Sequence, residues 1–261
     1  MLAVEPASAT DIIIEELVYT SERSGFMSLC LARRSGVPFI SSIQAVPTSD
    51  DLYSKMGSNE TFRLVARVSY GVNDEDGILL VDDHYERIWK SATTPPNCNN
   101  VAASPDFESP ENNPPPSVLE NAIESVNVSS PIILTVDFPK SSSSSQSAYF
   151  VLYFTEVADI FGQNNRTIDI FIDSVLMSTI TTTVRNCTVV TLFPVDIKGS
   201  RANVTLAAAN SPTNLPPLIS AMEVFTKVIA TGGVAGSNGP SQFTFLSSVL
   251  MICVSVLVNL L

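Results

Sequence analysis

Tyr149–Val157 reads YFVLYFTEV, a run broken only by Thr155 and Glu156. It is the most apolar internal stretch of the chain, and Tyr, Phe and Val favour extended backbone. A short apolar run without alternation predicts a strand buried on both faces, hence the centre of a sheet. The serine-rich stretch Lys140–Ser147 precedes it and reads as an exposed connection.

On either side lie runs that alternate. Ile132–Phe138 (IILTVDF) and Thr167–Ile172 (TIDIFI) each put apolar residues on one face only. Thr61–Tyr70 (TFRLVARVSY) alternates likewise. Thr188–Leu192, Asn203–Ala208 and Leu218–Thr226 follow on the C-terminal side; Ile12–Leu17, Phe26–Ala32 and Pro38–Val46 lie near the start. Val118–Val126 reads equally as strand or helix. Short strands recurring between Pro, Asn, Ser and Gly predict an all-β fold, an antiparallel β-sandwich.

Ser91–Ser117 holds seven prolines among Asn, Ser and Glu. It reads as a long irregular loop, and its proline and acid content predicts partial disorder. Gly71–Gly77 (GVNDEDG) has the acids of a calcium loop but offers Val72 where the first oxygen ligand belongs, so it reads as a solvated turn.

The chain ends differently. No charged residue occurs from Val228 to Leu261, and Phe243–Leu261 (FTFLSSVLMICVSVLVNLL) is almost wholly apolar. The small residues of Thr231–Gln242 precede it. Small residues, a short spacer and an apolar terminus form the pattern of a signal exchanged for a glycolipid anchor. A single C-terminal membrane helix is the alternative. Both predict a hydrophobic helix over 243–261 and a globular module tethered at a membrane.

Charge and sequons place that module. The chain has 261 residues with 26 acidic and 14 basic side chains, net −12. Without a Lys/Arg cluster beyond Arg33-Arg34, nucleic acid is excluded as a partner. Asn59, Asn127, Asn165, Asn186 and Asn203 each open an N-x-Ser/Thr sequon. Five in a chain of this size predict N-glycosylation outside the cell. Met1–Gly25 shows no signal peptide, so the sequons and tail together predict that the start shown lies within a longer chain.

Cys253 lies in the tail, leaving Cys30, Cys98 and Cys187. We expect a Cys98–Cys187 disulfide, although sequence does not fix connectivity. No Cys/His grouping suggests a metal, and no cofactor is expected.

Several segments together resemble the plant malectin-like domain of receptor-kinase ectodomains. Val37–Ser42 (VPFISS), Asp82–Trp89 (DDHYERIW), Pro115-Pro116 with Val118 and Ala122, Tyr149–Val157, Asn165–Ile172 (NRTIDIFI) and Leu215–Phe225 (LPPLISAMEVF) are similar to that family's segments in order and spacing. The resemblance implies a malectin-type, jelly-roll-like β-sandwich at 56–228. It makes 1–55 the closing strands of a preceding similar lobe and 229–242 a flexible linker. It also implies a non-enzymatic recognition module for cell-wall carbohydrate or a secreted peptide, acting with a receptor-kinase partner. Among its residues Tyr70, Asp82, Asp83 and Tyr85 are the aromatic–acid neighbours that could stack on and hydrogen-bond a sugar. A truncated receptor remnant or decoy, with only a structural or co-receptor role, is the alternative.

Catalytic readings are weaker. His84 and Asp83 are adjacent on an extended chain and point to opposite faces, so they form no relay. A glycosidase needs two carboxylates about 5–10 Å apart, and no motif sets them so.

Overall fold

The computed structural model describes residues 12–20, 25–29, 42–49, 51–72, 83–103, 110–140, 145–157, 166–209, 215–228, 241–245 and 249–257; residues 25–29, 241–245 and 249–257 are described by backbone alone. In chain order the elements begin with β1 (Ile12–Thr20), β2 (Gly25–Leu29), β3 (Ser42–Thr48), β4 (Glu60–Ser69), β5 (Lys90–Ser91) and β6 (Cys98–Ala102). A single helical turn, α1 (Pro116–Leu119), is followed by β7 (Asn121–Ser125), β8 (Ile132–Asp137), β9 (Ser145–Thr155), β10 (Thr167–Ile172), β11 (Val175–Thr181) and β12 (Cys187–Lys198). The last are β13 (Arg201–Ala208), β14 (Leu218–Ile219), β15 (Ala221–Lys227), β16 (Ser241–Phe245) and β17 (Val249–Leu257). The chain forms two compact units, residues 1–64 with 227–261, and residues 65–226, the division falling inside β4.

The unit of residues 65–226 is an antiparallel β-sandwich. In one sheet β9 lies between β12 and β15. The other runs β11-β10-β13-β8, all antiparallel. Alternation decides what lies between them. Phe150, Leu152 and Phe154 of β9, Ile168 and Ile170 of β10, Leu134 and Val136 of β8, and Val204 and Leu206 of β13 form one buried core. The odd positions of β9 are covered as well, since Tyr149, Val151 and Tyr153 are each 0% exposed. The apolar run at 149–157 therefore folds as expected, central and buried on both faces.

Three differences from the sequence reading concern this unit. First, β11 completes a hairpin with β10 through Asp173 and Ser174, both at positive φ (47° and 68°). Such a two-residue turn is ordinarily marked by Gly or Asn, and neither is present. Secondly, 91–117 is not an irregular loop throughout. Cys98–Ala102 pairs antiparallel with β7, which in turn pairs with β14. Cross-strand pairing overrides the composition there. Thirdly, the ambiguous stretch 118–126 divides into α1, whose Val118 and Leu119 are buried, and β7.

The disulfide expected between Cys98 and Cys187 is not formed, and both are buried free thiols. The two open strands of different sheets. Cys98 pairs with Ser125 on β7, while Cys187 pairs with Thr155 on β9.

In the other unit β17 pairs antiparallel with β1 and with β3, and β16 pairs with β2. The start of β4 pairs with the end of β1. This corrects the helix expected over 243–261. An apolar run rich in Val and Leu reads either way by periodicity, and here it covers the open side of β1 and takes β3 on its own other side. Among the described residues no helix is long and apolar enough to cross a membrane. Arg63 holds the carboxylate of Glu15 through two nitrogens, Nε at 2.7 Å, and Lys227 pairs with Glu60.

Candidate functional site

The outer side of β9 and β15 is covered by a layer whose chemistry is ionic. It arises from the segment Asp83–Trp89, in which Asp83, Tyr85, Arg87 and Trp89 are all buried while His84 and Glu86 are exposed. A turn in which the Glu86 N–H donates to the Asp83 carbonyl at 2.9 Å sets the four inward. Asp83 binds the other three. Its Oδ1 accepts the Tyr85 amide at 2.8 Å, its two oxygens accept Arg87 Nε at 3.1 and 2.9 Å, and its Oδ2 accepts Trp89 Nε1 at 2.9 Å.

Arg87 carries the layer further. Nη1 lies 3.3 Å from Oε1 of Glu223 on β15, and the same oxygen lies 3.4 Å from Nε of Arg67 on β4. The side chains of Arg67, Arg87, Asp83 and Glu223 are 0% exposed. Two cations face two anions, so the cluster is neutral, which is the condition for burying charge at all. The arginine planes also lie over rings: Arg67 over Trp89 and Phe225 at 5.8 Å, Arg87 over Tyr85 at 5.4 Å and Trp89 at 5.6 Å.

Two further Arg87 donors hold a second segment. Nη1 donates to the Asn112 carbonyl at 3.0 Å and Nη2 to that of Asn113 at 2.6 Å. Asn112 and Asn113 have φ of 63° and 41°, and Glu86 has φ 55°. Three non-glycine residues in the left-handed region thus surround one buried arginine. Each such residue stores about 1–3 kcal/mol and persists where its surroundings over-determine it. Both segments present polar side chains to solvent, His84 and Glu86 from one, Glu111 and Asn113 from the other.

A second ionic cluster lies elsewhere in the same unit. Arg166 reaches Glu156 through Nε (3.1 Å to Oε2) and Nη2 (2.9 Å to Oε1), Glu124 through Nη2 at 2.8 Å, and the Pro216 carbonyl through Nη1. Thr182 Oγ1 closes the shell on Glu156 at 2.6 Å. Every group is satisfied, and the cluster joins β7, β9 and the starts of β10 and β14.

The residues singled out in the sequence fall as follows. Tyr70 belongs to the apolar core, and burial drives its hydroxyl pKa well above the usual phenol range. Asp83 and Tyr85 are partners of Arg87 within the interior. None of the three offers a ring face or carboxylate to solvent for stacking on a sugar. Asp82 lies outside the described residues, as does Asn165. Asn59, Asn127, Asn186 and Asn203 are all exposed. Sequence reading missed Arg87, Arg67 and Glu223. The every-second-residue pattern Asp83, Tyr85, Arg87, Trp89 was the available signal for the first of these.

The unit is thus an antiparallel β-sandwich in which Asp83, Glu156 and Glu223 are buried carboxylates each bound by arginine. The malectin-like domain family matches residues 2–227. The chain belongs to that family. It is 27% identical over 228 residues to an uncharacterized protein of Arabidopsis thaliana, covering 85% of this chain and 43% of the relative. It is 26% identical over 233 residues to a putative leucine-rich repeat receptor-like serine/threonine-protein kinase of the same plant, covering 86% of this chain and 25% of the relative. The chain therefore spans less than half the length of these curated relatives. In fold it is similar to a crystal structure of the plant peptide RALF23 in complex with FER and LLG2 (TM-score 0.53, 16% identity, 75% of this chain and 58% of that one). It is also similar to the ANXUR2 extracellular domain of Arabidopsis thaliana (TM-score 0.51, 13% identity, 70% and 54%).

Proposed function

We propose that this chain is an extracellular recognition module, tethered to the plasma membrane, that binds a secreted cationic peptide and presents it to a receptor-kinase partner. The observation that carries the reading is the strained pair of segments around Arg87. Backbone strain held by a closed ionic scaffold is the form that ligand-positioning loops take. The side chains they expose include Glu86 and Glu111, in a chain of net charge −12. Acidic groups on fixed loops favour a cationic partner over a neutral polysaccharide. The peptide-bound neighbour supports the same class of ligand. Tyr70, Asp83 and Tyr85 enter this reading as scaffold, with Asp82 beside them in the chain, and cell-wall carbohydrate is the competing ligand. Residues 1–55 stand for the end of a preceding lobe and 56–228 for the lobe that binds.

The test immobilises the glycosylated chain and compares synthetic Lys/Arg-rich peptides with pectin and xyloglucan fragments. Peptide binding that disappears in Glu86→Lys/Glu111→Lys, with Tm unchanged, supports the proposal. Polysaccharide binding that survives the double reversal overturns it in favour of carbohydrate. Binding of neither class returns a structural or co-receptor role. Tethering through 243–261 excludes the pairing of β17 with β1 and β3. Release of the protein from membranes by a phosphatidylinositol-specific phospholipase C supports the glycolipid anchor, and recovery of soluble protein with an intact tail overturns it.

A further inference from the structure

The outward face of the β11-β10-β13-β8 sheet carries an apolar row. Register sets Leu176 of β11 opposite Phe171 of β10, Phe171 opposite Thr205 of β13, and Thr205 opposite Ile133 of β8. Ile168, Ile170 and Ile172 point into the core, so Phe171 points out. Leu176 is 54% exposed and Ile133 53%.

A sequon runs into this row along β13, with Asn203 two residues before Thr205. Asn203 and Thr205, its first and third residues, are two apart on one strand and share the outward face, about 7 Å apart. The Asn203 carbonyl oxygen Oδ1 accepts from Thr135 Oγ1 at 2.9 Å. This orients the amide, with Oδ1 turned to β8, and among the described residues Nδ2 donates to none. On the other side of Asn203 along the strand stands the exposed ion pair of Arg201 with Asp137, at 2.7 Å. Across the strand, the Asp173 carboxylate accepts the Asn203 N–H at 2.9 Å, so a sugar on Nδ2 has charged neighbours at Asp173 and at the Arg201–Asp137 pair, and the row of Leu176, Phe171, Thr205 and Ile133 in the remaining direction. The C–H face of a pyranose stacks on apolar and aromatic groups. The other described sequon asparagines, Asn59, Asn127 and Asn186, lie in turns rather than within a sheet face.

We infer that Asn203 is N-glycosylated and that its first N-acetylglucosamine lies over Thr205 between Phe171 and Ile133, covering an apolar row that the sheet leaves facing water. The transfer takes an oligosaccharide from a polyprenyl-diphosphate donor. The C1–O bond to the diphosphate breaks, a C1–N bond to Asn203 Nδ2 forms, the amide gives up one proton, and the lipid diphosphate leaves. No redox change is involved. The occupant is fixed by its tether, because an Nδ2-linked sugar reaches this row before any other molecule does.

The inference rests on the extracellular reading, and two preparations separate them. The natural protein recovered from plant cells reports on that reading: no glycan on any sequon counts against it alone. The full chain behind a cleavable secretion signal, carrying high-mannose glycans, reports on Asn203. Site-resolved mass spectrometry is expected to find Asn203 occupied. Asn203→Gln is expected to raise the unfolding equilibrium constant about threefold to tenfold in the parent, and less than about twofold in Phe171→Ala. Trimming to a single N-acetylglucosamine is expected to leave the parent value unchanged, because only the first sugar reaches the row. Should Phe171→Ala not accumulate, Ile133→Ser replaces it in the cycle. An unoccupied Asn203 beside occupied sequons, or the same Asn203→Gln effect with and without Phe171, overturns the inference.

Discussion

Oε1 of Glu223 lies 3.3 Å from Nη1 of Arg87, although 136 residues separate them in the chain. The pair ties the end of the sandwich to the segment that covers it, and it lies where water does not reach. Breaking one partner of a buried pair leaves the other uncompensated, at about 3–5 kcal/mol. Glu223→Ala removes one buried anionic partner from both Arg67 and Arg87. It is expected to lose that amount, read from the midpoint of urea unfolding of the glycosylated chain. Trp89→Phe keeps the charges and removes a single donor to Asp83, so a loss nearer about 1–3 kcal/mol is expected. Equal losses in the two variants would show that packing, and not charge balance, closes the layer.

Gly71 offers a cleaner test of backbone geometry. Its φ is +78°, and a Cβ there would stand 2.4 Å from the Ala122 carbonyl oxygen. Neither the left-handed conformation nor the approach to β7 tolerates a side chain. Gly71→Ala is expected to cost about 3 kcal/mol or more, since strain and overpacking add. Gly199 has φ +90° and nothing within 4 Å of the same virtual atom. Gly199→Ala therefore reports the conformational cost alone, about 1–2 kcal/mol. Thermal unfolding of both variants would show the difference, and equal Tm shifts would refute the steric argument.

Much of the sandwich was legible because its strands alternate. Ile168, Ile170 and Ile172 declare the buried face of β10 without any knowledge of the partner sheet. The same rule fails where the signal is not in the local chain. The β10–β11 hairpin turns on Asp173 and Ser174 rather than on glycine, so β11 gave no warning. Cys98–Ala102 looks like loop by composition, and becomes a strand because β7 supplies its hydrogen bonds. The apolar tail carries no periodicity to separate helix from strand, and pairing with β1 and β3 decides it. At the candidate site, the every-second spacing of Asp83, Tyr85, Arg87 and Trp89 was legible, but the turn from Asp83 to Glu86 that sets them inward was not. Their common partner Glu223 was not legible either, because a long-range ion pair leaves no pattern in either segment.

Stability should fall at alkaline pH for a nameable reason. Burial pushes the Cys187 thiol up to about 11 from its ordinary 9.0. A raised folded-state value means that the unfolded chain releases the proton first. The stabilisation is therefore fully present below pH about 9 and is lost progressively as pH rises to about 11. Tyr70 is shifted in the same direction by burial and extends the loss at higher pH. Urea midpoints measured between pH 8 and 11 are expected to decline, with a shallower decline in Cys187→Ala. A parallel decline in that variant would assign the effect to other groups.

Arg166 and Arg201 separate what an arginine does in the interior from what it does at the surface. Arg166 uses Nε and Nη2 on Glu156, Nη2 on Glu124 and Nη1 on the Pro216 carbonyl, with its side chain 0% exposed. A lysine keeps the charge but has one nitrogen on a flexible stem, and cannot reach all three partners. Arg166→Lys is expected to lose about 2–4 kcal/mol, because at least one buried carboxylate oxygen or carbonyl is left unpaired. Arg201 makes a single ion pair with Asp137 in which the side chains are 65% and 71% exposed. Water and salt screen that pair, so Arg201→Lys is expected to leave Tm unchanged. Added sodium chloride extends the contrast: screening reaches exposed charges and scarcely reaches buried ones, so the Arg166→Lys deficit is expected to be the same at low and at high salt. A deficit that shrinks with salt would mean that water enters the Arg166 cluster, and that it does not form a closed brace between β7, β9 and β10.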